Sequence, residues 1–251
     1  MLDKLDQNTK AHELREQHGE DANSQVDIFS LASQIEGLTL VFYPMGSNIS
    51  GMCVRDKEIR LIAINSTMSY GRQRFSLAHE LYHLYFDDAS GFNVCSVKLD
   101  PKSENERRAD QFASYFLAPY KSLRSAIKRI AGTASLSMEN IIFLEQYYGM
   151  SHLAMFWRLV SEGFLSSDQQ ERCNHGVISA ARALGYDDKL YRPTPAAFQR
   201  KTYGHYLRQV EELRRRDLVS SGKIDELLLD AFREDIAFGL DEDSWGGDAF
   251  D

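Results

Sequence analysis

The chain has 251 residues, 43% of them hydrophobic, enough for one compact domain with an appendage. Its 37 acidic against 29 basic side chains leave a net charge of −8, which argues against general nucleic-acid binding. No run approaches about 18 apolar residues, and the N-terminus lacks the apolar stretch of a signal peptide, so a cytoplasmic protein away from the membrane is expected. Cys53, Cys95 and Cys173 are odd in number and scattered, and read as reduced thiols rather than a disulfide framework.

Residues 1–26 are polar and mixed in charge and predict a frayed or loosely docked helix. Residues 27–36 read as an amphipathic helix ended by Gly37. Strand signals follow at Leu38–Tyr43, 51–55 and 58–65, the last two joined by a hairpin turn over 55–58.

The next segment carries the chemistry. In His79-Glu80-Leu81-Tyr82-His83 the two histidines are four apart, so on a helix they project to one side. Two neutral imidazoles at that spacing can grip one Zn²⁺, with Glu80 set beside them to take a proton from a water at the open position. A histidine pair can also be a hydrated polar edge or part of a structural metal site. The apolar company of Phe75, Leu77, Ala78, Leu81, Leu84, Tyr85 and Phe86 makes burial without a partner costly and favours a catalytic metal. Asp87, one turn after His83, can support that histidine or simply end the helix.

A second helical stretch begins at Glu104 and runs toward Pro119. Glu106 can complete a His₂Glu set and leave a fourth position for water. Glu104 is the competing carboxylate, but it falls on the opposite side of the helix from Asp110, which shares a face with Glu106. Asp110 would then accept the spare N–H of a ligand histidine and fix its tautomer. Ala109, Phe112, Ala113, Phe116 and Leu117 form the side that packs on the first helix.

The run Gly71-Arg72-Gln73-Arg74-Phe75-Ser76-Leu77-Ala78-His79-Glu80, then Glu106, Ala109, Asp110, Phe112, Ala113 and Pro119, resembles the ImmA/IrrE metallopeptidases over about residues 28–165, and 62–65 fit the strand that precedes the motif. The resemblance implies an α+β, zincin-like core in which His79, His83 and Glu106 bind one Zn²⁺ per chain and Glu80 is the catalytic base. It implies a substrate that is a helix-turn-helix repressor or antitoxin. It also implies that the strand before the motif helix, carrying Ile62 and Ile64, offers an open edge over the metal for an extended substrate. Tyr82 stands where the family often has glycine. A proton donor completes such a mechanism, and Tyr82, Tyr120, His152 and His205 are candidates among which the sequence does not choose.

Helices are expected near 119–132, 136–148 and 151–163. Residues 144–159 have the outline of a helix-turn-helix with Ser151 capping its second helix. That outline supports a rival reading, a nonproteolytic regulator or toxin-like interaction protein, DNA-associated, that retains the fold. Between 136 and 166, however, Arg158 is the one basic side chain against Glu139, Glu145 and Glu162, too few cations for phosphate contacts. Residues 185–223 are basic and aromatic, a solvated face or a docking surface for an acidic partner. Residues 224–240 read as one amphipathic helix. Residues 241–251 are acidic, and would cover either the basic stretch or the active site. The expected organisation is a polar segment 1–26, a metallopeptidase domain 27–166 and a mainly helical region 167–251.

Overall fold

The computed structural model describes residues 4–240 apart from 22, 58, 88–90, 97–103 and 171–174, and of 91–96 only the backbone. The acidic segment 241–251 and Cys173 lie outside the described residues. Helices α1 (Lys4–Gln17) and α2 (Ile28–Gln34) lead into strands β1 (Leu38–Tyr43), β2 (Ile49–Arg55) and β3 (Arg60–Asn65). Then come α3 (Tyr70–Phe86), β4 (Gly91–Ser96), α4 (Glu104–Leu117), α5 (Tyr120–Ala131), α6 (Met138–Tyr148) and α7 (His152–Ser161). The C-terminal part holds α8 (Val177–Ala183), β5 (Lys201–Gly204), α9 (His205–Arg215), α10 (Ser221–Asp230) and α11 (Glu234–Ala237). None of the described helices is long and apolar enough to cross a membrane. The architecture is the expected α+β one.

The five strands form one mixed sheet in the order β4-β2-β3-β1-β5. β1 and β3 run parallel, with Leu38 opposite Arg60 and Tyr43 opposite Asn65; the other pairings are antiparallel. β3 therefore lies inside the sheet, and Ile62, Ala63, Ile64 and Asn65 are all buried, as a central strand covered on its faces requires. This corrects the expectation of an open edge there: β2 and β1 already take both ladders of β3, and among the described residues the outer strands are β4 and β5.

α3 lies against β2 and β3 with α4 on its other flank, and from Leu77 to Leu84 every residue is buried. Such a helix has little solvent face, so its polar residues must find partners inside. Arg74 does so through the carbonyls of Gly149 (2.9 Å) and Val26 (2.7 Å).

α1 is not loose. Ala11 and Leu14 belong to the same core cluster as Leu81 and Phe116, and Arg15 donates to the carbonyls of Asp21 (2.8 Å), Phe116 (2.7 Å) and Ser24 (2.8 Å). The segment is polar yet firmly docked because the docking residues Gln7 and Arg15 are themselves buried.

α6 and α7 pack as a helical corner. Tyr148, Met150, Met155, Phe156 and Leu159 are fully buried, and Ser151 caps α7 by accepting from the Ala154 amide. The C-terminal region is not only helical: β5 adds to β1, with Thr39 opposite Gly204. Gly204 has φ +83°, and a Cβ there would lie 2.5 Å from the Leu38 carbonyl oxygen, so only glycine turns the chain from β5 into α9. The helix expected over 224–240 breaks at Ala231–Phe232, where Phe232 takes φ +57°, leaving α10 and the short α11. Val210, Ile224 and Leu228 make a second, small core there.

Candidate metal centre

The motif helix α3 and the adjoining α4 meet at three side chains. His79, His83 and Glu106 each offer one ligand atom, and these lie within 4.8 Å of one another; among the described residues this is the single such group. His79 Nε2 is 3.0 Å from His83 Nε2 and 3.2 Å from Glu106 Oε2, and His83 Nε2 is 3.4 Å from Glu106 Oε1. Both histidines are buried and Glu106 is partly open. The helical spacing stacks the two rings at a centroid distance of 4.9 Å, while the α3–α4 packing supplies the carboxylate.

The far nitrogens explain what this point can hold. Asp110 Oδ1 accepts from His79 Nδ1 at 2.8 Å, and Asp87 Oδ2 accepts from His83 Nδ1 at 2.7 Å. A carboxylate only accepts, so each Nδ1 carries the proton and each neutral ring turns a bare Nε2 lone pair inward. Two imidazole lone pairs and a carboxylate then face one another with no proton of their own to share. Acceptors converging in a buried place need a cation between them, and the His₂Glu donor set fits Zn²⁺.

The supporting residues come from several elements. Asp87 follows the last turn of α3 and is gripped in turn by Asn105 Nδ2 of α4 at 2.9 Å. Arg55 of β2 donates to the carbonyls of Leu84 and Asp87, satisfying the end of α3 beside His83. Asp87 thus both ends the helix and orients a histidine. Arg72, half-buried on the first turn of α3, senses the charge of Asp110 while burial lowers its pKa.

Glu80 is fully buried beneath β2. A Cβ built on Gly51 would stand 2.8 Å from Glu80 Oε1. Gly51 opens the strand expected over 51–55 but lies inside β2 as folded, Ile49–Arg55, where a glycine marks close approach. Of the four proton-donor candidates, Tyr120 accepts from Arg124 at 3.0 Å and His152 is bound to Glu145 at 2.6 Å, so both are engaged elsewhere. Tyr82 is buried among Phe86 and Phe112 with its ring beside His83, and His205 opens α9 after β5. Glu104, the competitor of Glu106, pairs with Arg108 on the exposed side of α4.

These features meet a family. The peptidase family described as IrrE N-terminal-like domain matches residues 34–159, a span that contains β1 to α6, most of α7 and all three converging side chains, and the chain belongs to it. Among curated proteins, the chain is similar to the radiation response metalloprotease IrrE of Deinococcus deserti, 44% identical over 57 residues. That similarity covers 23% of this chain and 19% of the relative.

Proposed function

We propose that this protein is a zinc-dependent endopeptidase in which His79, His83 and Glu106 hold one Zn²⁺ and Glu80 is the catalytic base. The observation that carries the reading is the convergence of two bare Nε2 atoms and one carboxylate on a shared point, each histidine oriented from behind by an aspartate. When bound, zinc supplies Lewis acidity, polarising a peptide carbonyl and drawing the pKa of a water toward about 7. Glu80 accepts the proton of the attacking water as the new C–O bond forms, then delivers it to the amide nitrogen, after which the peptide C–N bond breaks. Asp110 and Asp87 keep both imidazoles in the ligating tautomer through the cycle.

The target class we propose is a helix-turn-helix repressor or antitoxin acting with this protein in the cytoplasm. The test combines the purified chain with the helix-turn-helix protein encoded by the neighbouring reading frame, with and without chelator. Cleavage that chelator abolishes and zinc restores is the expected result. Glu80→Gln should retain zinc and lose cleavage. A Glu80→Gln variant that keeps the full biological effect would replace the peptidase with a nonproteolytic regulator.

A further inference from the structure

β2 is irregular where it crosses α3. Ile49 faces Ser96 and Gly51 faces Cys95, so Ser50 is one extra residue on the β2 side of the β2–β4 ladder. A bulge of this kind bends the strand and re-aims what it carries, and such bulges recur beside active sites. On the other side, Gly51 keeps its regular place opposite Ile64 of β3. Gly51, Cys53 and Arg55 alternate onto the face turned toward α3: Cys53 is in the core, and Arg55 reaches the end of the helix.

A side chain at Gly51 would crowd the Glu80 carboxylate where it stands. An added Cβ would stand 2.8 Å from Glu80 Oε1, 3.2 Å from Glu80 Cγ and 3.1 Å from the Ala63 carbonyl oxygen. The first distance is one that real methyl groups do not keep. The helix backbone under Glu80 is hemmed in by the core, so relief must come at the free end of the side chain, by swinging the carboxylate away. Gly46, in the β1–β2 connection, offers a contrast: a Cβ there meets nothing within 4 Å.

We infer that Gly51 is a positioning residue, whose missing side chain, delivered by the β2 bulge, makes the place occupied by the Glu80 carboxylate. This rests on the peptidase reading for its consequence in rate, but the contact itself does not depend on it. The metal ligands come from α3 and α4, so the place of the base is set separately from them, by a strand.

The experiment compares wild type, Gly51→Ala, Gly46→Ala, Glu80→Ala and the Gly51→Ala/Glu80→Ala double variant. Gly51→Ala should bind zinc with wild-type stoichiometry, lose about 10²-fold in kcat as misplacement of a reacting group by about 1 Å does, and shift the acidic limb of its pH profile. Gly46→Ala should match wild type throughout. Unfolding midpoints, read with and without zinc, should fall for Gly51→Ala in the Glu80 background and fall less in the Glu80→Ala background; the squeeze on Ala63 is common to both and cancels. A Gly51→Ala enzyme with wild-type kcat and pH limb, or equal destabilisation in the two backgrounds, overturns the inference. A wild type that binds zinc but cleaves nothing removes the peptidase reading and leaves the midpoint comparison to decide. Should Gly51→Ala fail to fold, combining it with Glu80→Asp withdraws the carboxylate by one methylene: recovery of the fold supports the inference, and failure to recover overturns it.

Discussion

His79 and His152 are both buried, and each donates a hydrogen bond from Nδ1 to a carboxylate, Asp110 at 2.8 Å and Glu145 at 2.6 Å. Viewed from that side the two are alike. On the far side they part. His79 Nε2 meets His83 and Glu106, whereas His152 Nε2 has no hydrogen-bonding partner among the described residues. Glu145 is instead shared with the C-terminal region, because Tyr191 donates to its other oxygen at 2.8 Å. One cluster gathers acceptors onto a point; the other ties α6 and α7 to the segment around Tyr191. A buried histidine–carboxylate pair orients a ring, and what converges on the opposite nitrogen decides whether the ring becomes a ligand or a fastening.

Substitutions should separate the two clusters cleanly. The largest effect is expected from His83→Ala, which should abolish stoichiometric zinc and all cleavage, while His152→Ala keeps its zinc; metal content after gel filtration reads both. Glu145→Ala should leave zinc untouched but cost about 2 kcal/mol in urea unfolding, since it strands the buried donor on His152 and the half-buried one on Tyr191. Equal zinc loss in Glu145→Ala and His83→Ala would erase the distinction.

A smaller effect is expected behind the proposed ligands. Asp110→Ala should weaken zinc binding about 10- to 100-fold, measured by competition with a chelating dye, because His79 then loses the partner that fixes its tautomer. The smallest concerns pH. Burial, with the Glu145 charge next in weight, pushes the Tyr191 hydroxyl above its ordinary range. A raised acid favours the folded state while protonated, so this contribution is complete below about pH 10 and is lost as pH rises through the folded value. The stability gap between wild type and Tyr191→Phe should therefore narrow above about pH 10. A gap that widens there would reverse the assigned sign.

The parts of the site legible in the sequence are those governed by helix geometry. His79 with His83, and Glu106 with Asp110, are four apart, and that spacing alone puts each pair on one face. Asp87 follows His83 by the same interval, and its contact with His83 Nδ1 follows from that spacing. The apolar face of α4, with Ala109, Phe112, Ala113 and Phe116, was equally readable and is buried as expected.

What stayed hidden depends on partners distant in sequence. β5 has only four residues and owes its existence to the β1 edge it adds to. Whether β3 is an edge or an interior strand is a matter of strand order, which local alternation does not encode. α1 looked loose because its anchor is an arginine, and a buried arginine is recognisable only when the carbonyls of Asp21, Ser24 and Phe116 are in view.

The amino-acid order by itself determined the faces that carry the proposed ligands, since a helix of fixed pitch turns spacing into direction whatever surrounds it. The tertiary structure decided that the two faces meet, that an aspartate stands behind each imidazole, and that Gly51 passes within a methyl's breadth of Glu80. Those are distances between separate elements, and they come from how the sheet and the core pack, which no single stretch of sequence carries.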